Sequence, residues 1–150
     1  MDFSARIQPL LTKVYSPEQV ETLIPQLYDL LQPHLQQTSR EDWRKWSHDN
    51  VLLITYGDSL IADDGRSPLA VLADFLEKHL QGSITGVHIL PFFPYTSDDG
   101  FAIKDYTTVS PELVDWDDIK RISQSFNLMV DLVINHVSSQ HPWVKQFQGG

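Results

Sequence analysis

The spacing of apolar residues changes near residue 50. Before that point Val20, Leu23, Ile24, Leu27, Leu30 and Leu31 recur at intervals of three and four, which predicts an amphipathic packing helix with one apolar stripe. Ser16, then Pro17 and Gln19, form a capping-box arrangement with proline at the first helical position, so the helix is expected to begin there. Pro25 lacks an amide proton and is predicted to kink or split it. Residues 32–50 turn polar, and Gln36, Gln37, Thr38 and Ser39 read as a connector ahead of Trp43 and Trp46. Residues 1–50 are therefore expected to form an N-terminal helical extension.

After residue 50 the apolar residues come in short continuous runs. Val51 to Tyr56, Gly86 to Pro91 and Leu128 to Ile134 each read as a strand buried on both faces. Between the first two, Ser67-Pro68 caps a helix with Leu69, Leu72, Ala73, Leu76 and Leu80 on one face and Gly82 just past its end. Residues 91–114 hold Pro91, Pro94, Asp98-Asp99-Gly100 and Pro111, and are expected to be a long loop. Asp115 or a neighbour is expected to cap a helix running to Phe126, with Trp116, Ile119 and Ile122 inward. Asp117 and Asp118 suit the positive end of its dipole. His141-Pro142 opens a last short helix through Phe147.

This alternation demands parallel strands with right-handed crossovers, so the fold class is α/β. Three apolar strands leave a sheet edge unpaired, which is a liability in an isolated domain. Residues 51–150 are therefore expected to be the opening part of a larger barrel or sheet.

Composition narrows the function. The chain of 150 residues is 41% hydrophobic and 11% aromatic, enough to build a core, which argues against disorder. Residues 1–50 carry five basic and seven acidic groups (net −2), whereas residues 51–150 carry six and thirteen (net −7). With a formal net charge of −9 and no basic run, duplex nucleic acid is a disfavoured partner. The absence of cysteine excludes disulfides, thiolate metal sites and cysteine nucleophiles. No secretory leader pattern and no apolar stretch of about 18 residues occurs, so the expectation is a cytoplasmic protein with no membrane partner.

In parallel β/α folds functional groups collect where strands run into their following loops. That rule selects Gly57-Asp58, the loop from Pro91 to Tyr106, and Asn135-His136, all expected on one face. Asp131 lies in an apolar run, where an ionised carboxylate needs a cation or donors, so it predicts a partner. A structural ion pair is its plainest role, and Arg66 and Arg121 fall on a loop and a helix surface. His136 could cap backbone groups or serve a site. The loop joins aromatic rings to carboxylates, which suits the apolar faces and hydroxyls of a sugar, although Asp-Asp-Gly is also an ordinary turn tripeptide. Asp98 and Asp99 are adjacent, so their side chains diverge and make a poor acid/base pair for glycoside cleavage. No metal site is expected: Asp63-Asp64-Gly65 is too short for a calcium loop, and His136 and His141 lack a helical ligand spacing.

Taken together, LLITYGDSL (52–60), GVHILPFFPYTSDDGFAIKDY (86–106), DWDDI (115–119) and LMVDLVINHVSS (128–139) resemble the α-amylase family of glycoside hydrolases. Within it they are similar to the sucrose phosphorylase branch, which includes glucosylglycerate and sucrose-phosphate phosphorylases. The resemblance implies an eight-stranded β/α barrel, of which residues 51–150 would be the first three strands. It implies that Asp98 and His136 bind the glucosyl hydroxyls, that Phe101 shapes the same subsite, and that Asp131 and Asn135 support it structurally. It gives Asp131 an arginine partner from the region of the next strand. Tyr106, a further supporting residue, stands where sucrose phosphorylases often carry histidine, a departure that points away from strict sucrose specificity. The helical extension resembles that of the glucosylglycerate and sucrose-phosphate enzymes.

The implied activity is reversible phosphorolysis of an α-glucoside by a retaining double displacement, with inorganic phosphate as co-substrate and no cofactor. The resemblance places the nucleophile, the acid/base and a supporting aspartate on strands four, five and seven. None of the 150 residues is therefore expected to be catalytic, and the chain alone is expected to be inactive. Hydrolysis or transglucosylation by the same family, and a noncatalytic sugar-binding or assembly role, are the alternatives. A homodimer of the complete protein is left open.

Overall fold

A computed structural model describes residues 3–35 and 47–149. The chain divides into two compact units, Met1–Trp46 and Ser47–Gly150. The first contains α1 (Phe3–Leu11) and α2 (Pro17–Leu35), in contact through Phe3 and Tyr28, whose ring centroids are 5.8 Å apart. At the start of α2 the Ser16 amide donates to Gln19 Oε1 at 3.0 Å and the Gln19 amide to Ser16 Oγ at 3.4 Å, which is the reciprocal cap the sequence predicts. Pro25 does not split the helix: α2 continues past it and past Pro33. Along the stripe Val20 is buried, but Leu30 is 66% exposed. The expected connector from Gln36 to Ser39, with Trp43 and Trp46, lies outside the described residues.

The second unit follows the predicted alternation. β1 (Leu52–Thr55), β2 (Gly86–Ile89) and β3 (Asn127–Val130) form one parallel sheet in the order β1-β2-β3. The registers align Ile54, His88 and Met129 across the sheet, and on the opposite face Leu53, Val87 and Leu128.

α3 (Pro68–Phe75) is capped by Ser67 Oγ, which accepts from the Ala70 amide, and a π-helical turn, Leu76–Leu80, extends it. Gly82 then turns the chain at φ +82. α4 (Trp116–Ser125) is capped by Asp115, whose carboxylate accepts from the amides of Asp117 and Asp118. Leu69, Leu72, Ala73 and Leu76 on the first helix and Ile119 and Ile122 on the second meet Val87 and Ile89 of β2 in the core. Each fully buried leucine there contributes about 1.5–3 kcal/mol relative to an exposed one. α5 (Pro142–Gly149) begins where the Trp143 amide donates to His141 Nδ1 at 3.1 Å.

Three expectations need correction. The third strand pairs only to Val130, not to Ile134, because β2 ends at Ile89 and Pro91 has no amide to offer a neighbour. Burial on both faces fails for the outer strands, since Ile54 is 58% exposed and Val130 44%. Trp116 is half-exposed rather than inward: its ring meets Phe92 edge-on and its indole N–H donates to the Thr107 carbonyl at 3.0 Å. Among the described residues no helix is long and apolar enough to cross a membrane.

Candidate functional site

The loops that leave β1, β2 and β3 gather on one side of the sheet, as the strand-end rule predicts. The loop after β2 departs from Phe92 and Phe93, both buried, and doubles back through a bridge between Tyr95 and Ile103. At its tip Asp98, Asp99 and Gly100 all take positive φ, of 62°, 47° and 100°. Only glycine suits the last position, because a Cβ there would stand 2.9 Å from the Pro91 carbonyl oxygen.

This turn sends the two aspartates apart. Asp98 Oδ2 comes 3.6 Å from His136 Nε2, which belongs to the loop after β3. That separation exceeds a hydrogen bond, and neither side chain has a hydrogen-bond partner among the described residues. With 68% and 44% of their side-chain surface open, both are accessible to solvent. Asp99 instead lines a second cleft of about 410 Å³ with Tyr56, Asp58, Tyr95 and Glu112. There the Ser110 hydroxyl donates to Glu112 and, as the main cause, holds its carboxyl below the ordinary value.

His136 and Asn135 line a cleft of about 710 Å³ whose walls include Phe93, Tyr106, Asp131 and Trp143. Trp143 stacks on Tyr106 with centroids 6.2 Å apart, and Phe93 meets Tyr106 edge-on at 5.6 Å. The Tyr106 hydroxyl donates to the Val133 carbonyl, so this ring ties the first loop to the second. Phe101 is half-buried against the hydrophobic core and is not among the residues lining either cleft.

The partner of Asp131 is His88, a residue the sequence reading did not select. His88 Nε2 stands 2.9 Å from Asp131 Oδ2, with 15% and 24% of the side-chain surfaces exposed. A carboxylate only accepts, so Nε2 carries the proton in this contact. The signal was present as the single polar side chain in the apolar run Gly86-Val87-His88-Ile89. Arg66 and Arg121 are occupied elsewhere: Arg121 reaches Asp74 at 2.7 Å and Glu77 at 2.6 Å, while Arg66 pairs with Asp64 and Asp74.

The profile described as "Alpha amylase, catalytic domain" matches residues 74–149. A glucosylglycerate phosphorylase from Spirochaeta thermophila is 43% identical over 97% of this chain and 26% of its own length. Another, from Allomeiothermus silvanus, is 54% identical over 68% of this chain and 18% of its own. The crystal structure of sucrose 6F-phosphate phosphorylase from Thermoanaerobacter thermosaccharolyticum superimposes with a TM-score of 0.60 at 38% identity, over 72% of this chain and 21% of that one. The chain thus spans about a quarter or less of the length of these proteins.

Proposed function

The chain belongs to the α-amylase family, and on that premise we propose that the protein is a sugar phosphorylase, moving a glucosyl unit between an α-glucoside and inorganic phosphate. The approach of Asp98 to His136 from two different strand ends carries the glucosyl-binding part of this reading, and the similarity to glucosylglycerate phosphorylases supports the phosphate-dependent part. A carboxylate accepts from two sugar hydroxyls and an imidazole either donates or accepts, so the pair matches vicinal hydroxyls that present both functions. Asn135 lines the same cleft as His136, and Phe101, which lines neither cleft, would act only by packing behind the turn that carries Asp98. Of the possible glucosides, glucosylglycerate is favoured, because the similarity to the Spirochaeta thermophila enzyme runs through the helical extension.

The chemistry would be a double displacement. An aspartate attacks the anomeric carbon as the glycosidic C–O bond breaks, and a glutamate gives its proton to the departing oxygen. A phosphate oxygen then displaces the aspartate, releasing glucose 1-phosphate with the original anomeric configuration. Neither carboxylate is assigned to a residue of this chain, whose part is to hold the ring in place. Orientation of this kind can be worth about 7–11 kcal/mol of barrier, yet turns nothing over without the nucleophile. The 150 residues alone are accordingly expected to be inactive.

The deciding experiment incubates the complete protein with glucosylglycerate or sucrose, with and without phosphate. Phosphate-dependent release of glucose 1-phosphate supports the proposal. Equal turnover into free glucose without phosphate would instead make it a hydrolase or transglucosidase. That second reading is served equally well by the Asp98–His136 pair, which touches the glucosyl side and not the acceptor.

A further inference from the structure

We propose that the hydroxyl pair Thr96–Ser138 is a positioning clip that sets the separation of Asp98 and His136; its bearing on substrate rests on the glucosyl grip proposed above. Thr96 Oγ1 donates to Ser138 Oγ at 2.9 Å, joining the two loops at points two residues from Asp98 and two from His136. The Ser138 side of the clip is rigid. This residue is 2% exposed, its amide donates to the Ile103 carbonyl at 3.0 Å, its carbonyl accepts from the His141 amide at 3.0 Å, and its hydroxyl also accepts from the Gln140 amide at 3.1 Å. Thr96 is exposed and sits on the strained arm, where Asp98 and Asp99 both hold left-handed backbone.

The turn is closed internally by Thr96 N to Ala102 O at 3.0 Å, Ala102 N to Ser97 O at 3.2 Å and Phe101 N to Asp98 O at 2.9 Å. Those bonds shape the tip but do not aim it. The other ties between the loops, Ser138 N to Ile103 O and the Tyr106 hydroxyl to Val133 O, hold the rear of the loop, beyond residue 102. The Thr96 hydroxyl is the tie placed in front, on the segment that leads directly into Asp98. Without it Thr96 loses its side-chain tie to the loop after β3, and Asp98 shifts relative to His136 within the limits set by the Lys104 N to Pro94 O bond at 2.7 Å and the seat of Gly100 on Pro91.

The test compares Thr96→Val, which keeps the branched shape and loses the hydroxyl, with Thr96→Ser, which keeps the hydroxyl, both in the complete protein. In hydrogen–carbon correlation NMR of the ligand-free protein, the His136 ring signals move in Thr96→Val and return in Thr96→Ser, while the melting temperature stays near wild type. With glucosylglycerate and phosphate, KM rises about 10-fold in Thr96→Val with kcat largely kept, and Thr96→Ser restores it. Ring signals that stay in place in Thr96→Val overturn the clip, whatever the activity. Ring signals that move while KM does not uphold the clip and overturn the glucosyl grip instead.

Discussion

His88 Nε2 and Asp131 Oδ2 are 2.9 Å apart, spanning from the middle of β2 to the first residue past β3. The contact ties Asp131 down where the regular ladder has already stopped, four residues before Asn135. Removing the imidazole leaves a half-buried carboxylate without this donor, a loss of about 1–3 kcal/mol. Urea unfolding of His88→Ala, Asp131→Ala and the double variant measures it. The double variant should lose less than the sum of the two singles, and strict additivity would mean that the contact contributes nothing.

Asp98→Ala and His136→Ala in the complete protein are each expected to lower kcat/KM by about 100-fold, or ~2.7 kcal/mol of transition-state stabilisation. Both side chains are open to solvent and without hydrogen bonds among the described residues, so stability should change little. Wild-type turnover in either variant would refute the proposed roles.

Acid should loosen the packing of α3 on α4. The Arg121 guanidinium, first, and then Arg66 hold the Asp74 carboxyl below its ordinary 3.8. A folded-state value below the unfolded one means that the ion network stabilises above pH 3.8, and that its contribution fades as the pH falls further, through the folded value. Asp74 and Arg121 are 45% and 40% exposed. Solvent screening therefore limits the effect to about 0.5–1 kcal/mol. Asp74→Asn should melt below wild type at neutral pH, and the two curves should draw together as the pH falls below 3.8. A gap that persists in acid would place the effect outside the ion network.

Gly100→Ala combines a left-handed backbone with a Cβ 2.9 Å from the Pro91 carbonyl oxygen. The strain alone costs about 1–2 kcal/mol. Because the turn carries Asp98, the variant should lose affinity for glucoside as well as stability, as substrate titration alongside thermal melting would report. A variant as stable as wild type would show that the turn relaxes freely.

Much of the fold was legible because local chemistry decided it. Ser67, Asp115 and Ser16 cap helices where their spacing to free amides requires, and the β-branched runs became parallel strands. Where tertiary partners decide, the sequence was silent. The end of β3 depends on where β2 stops, and the continuity of α2 through Pro25 overrides the breaking tendency of proline. The site shows the same division. Strand ends announced Asp98, Asn135 and His136, and adjacency foretold the divergence of Asp98 and Asp99. His88 and the Thr96–Ser138 contact come from residues more than 40 positions apart, a relation that no local pattern encodes.

The close approach of Gly100 to Pro91 also constrains engineering. The tip of this loop rests on the strand exit from which it departs, so the two form one mechanical part. Replacing residues 95–103 with the matching stretch of a relative, to change which sugars are accepted, would import a curvature shaped against a different support. Such a graft should be cut at Leu90, ahead of the proline, so that the transplanted turn arrives together with the surface on which it sits.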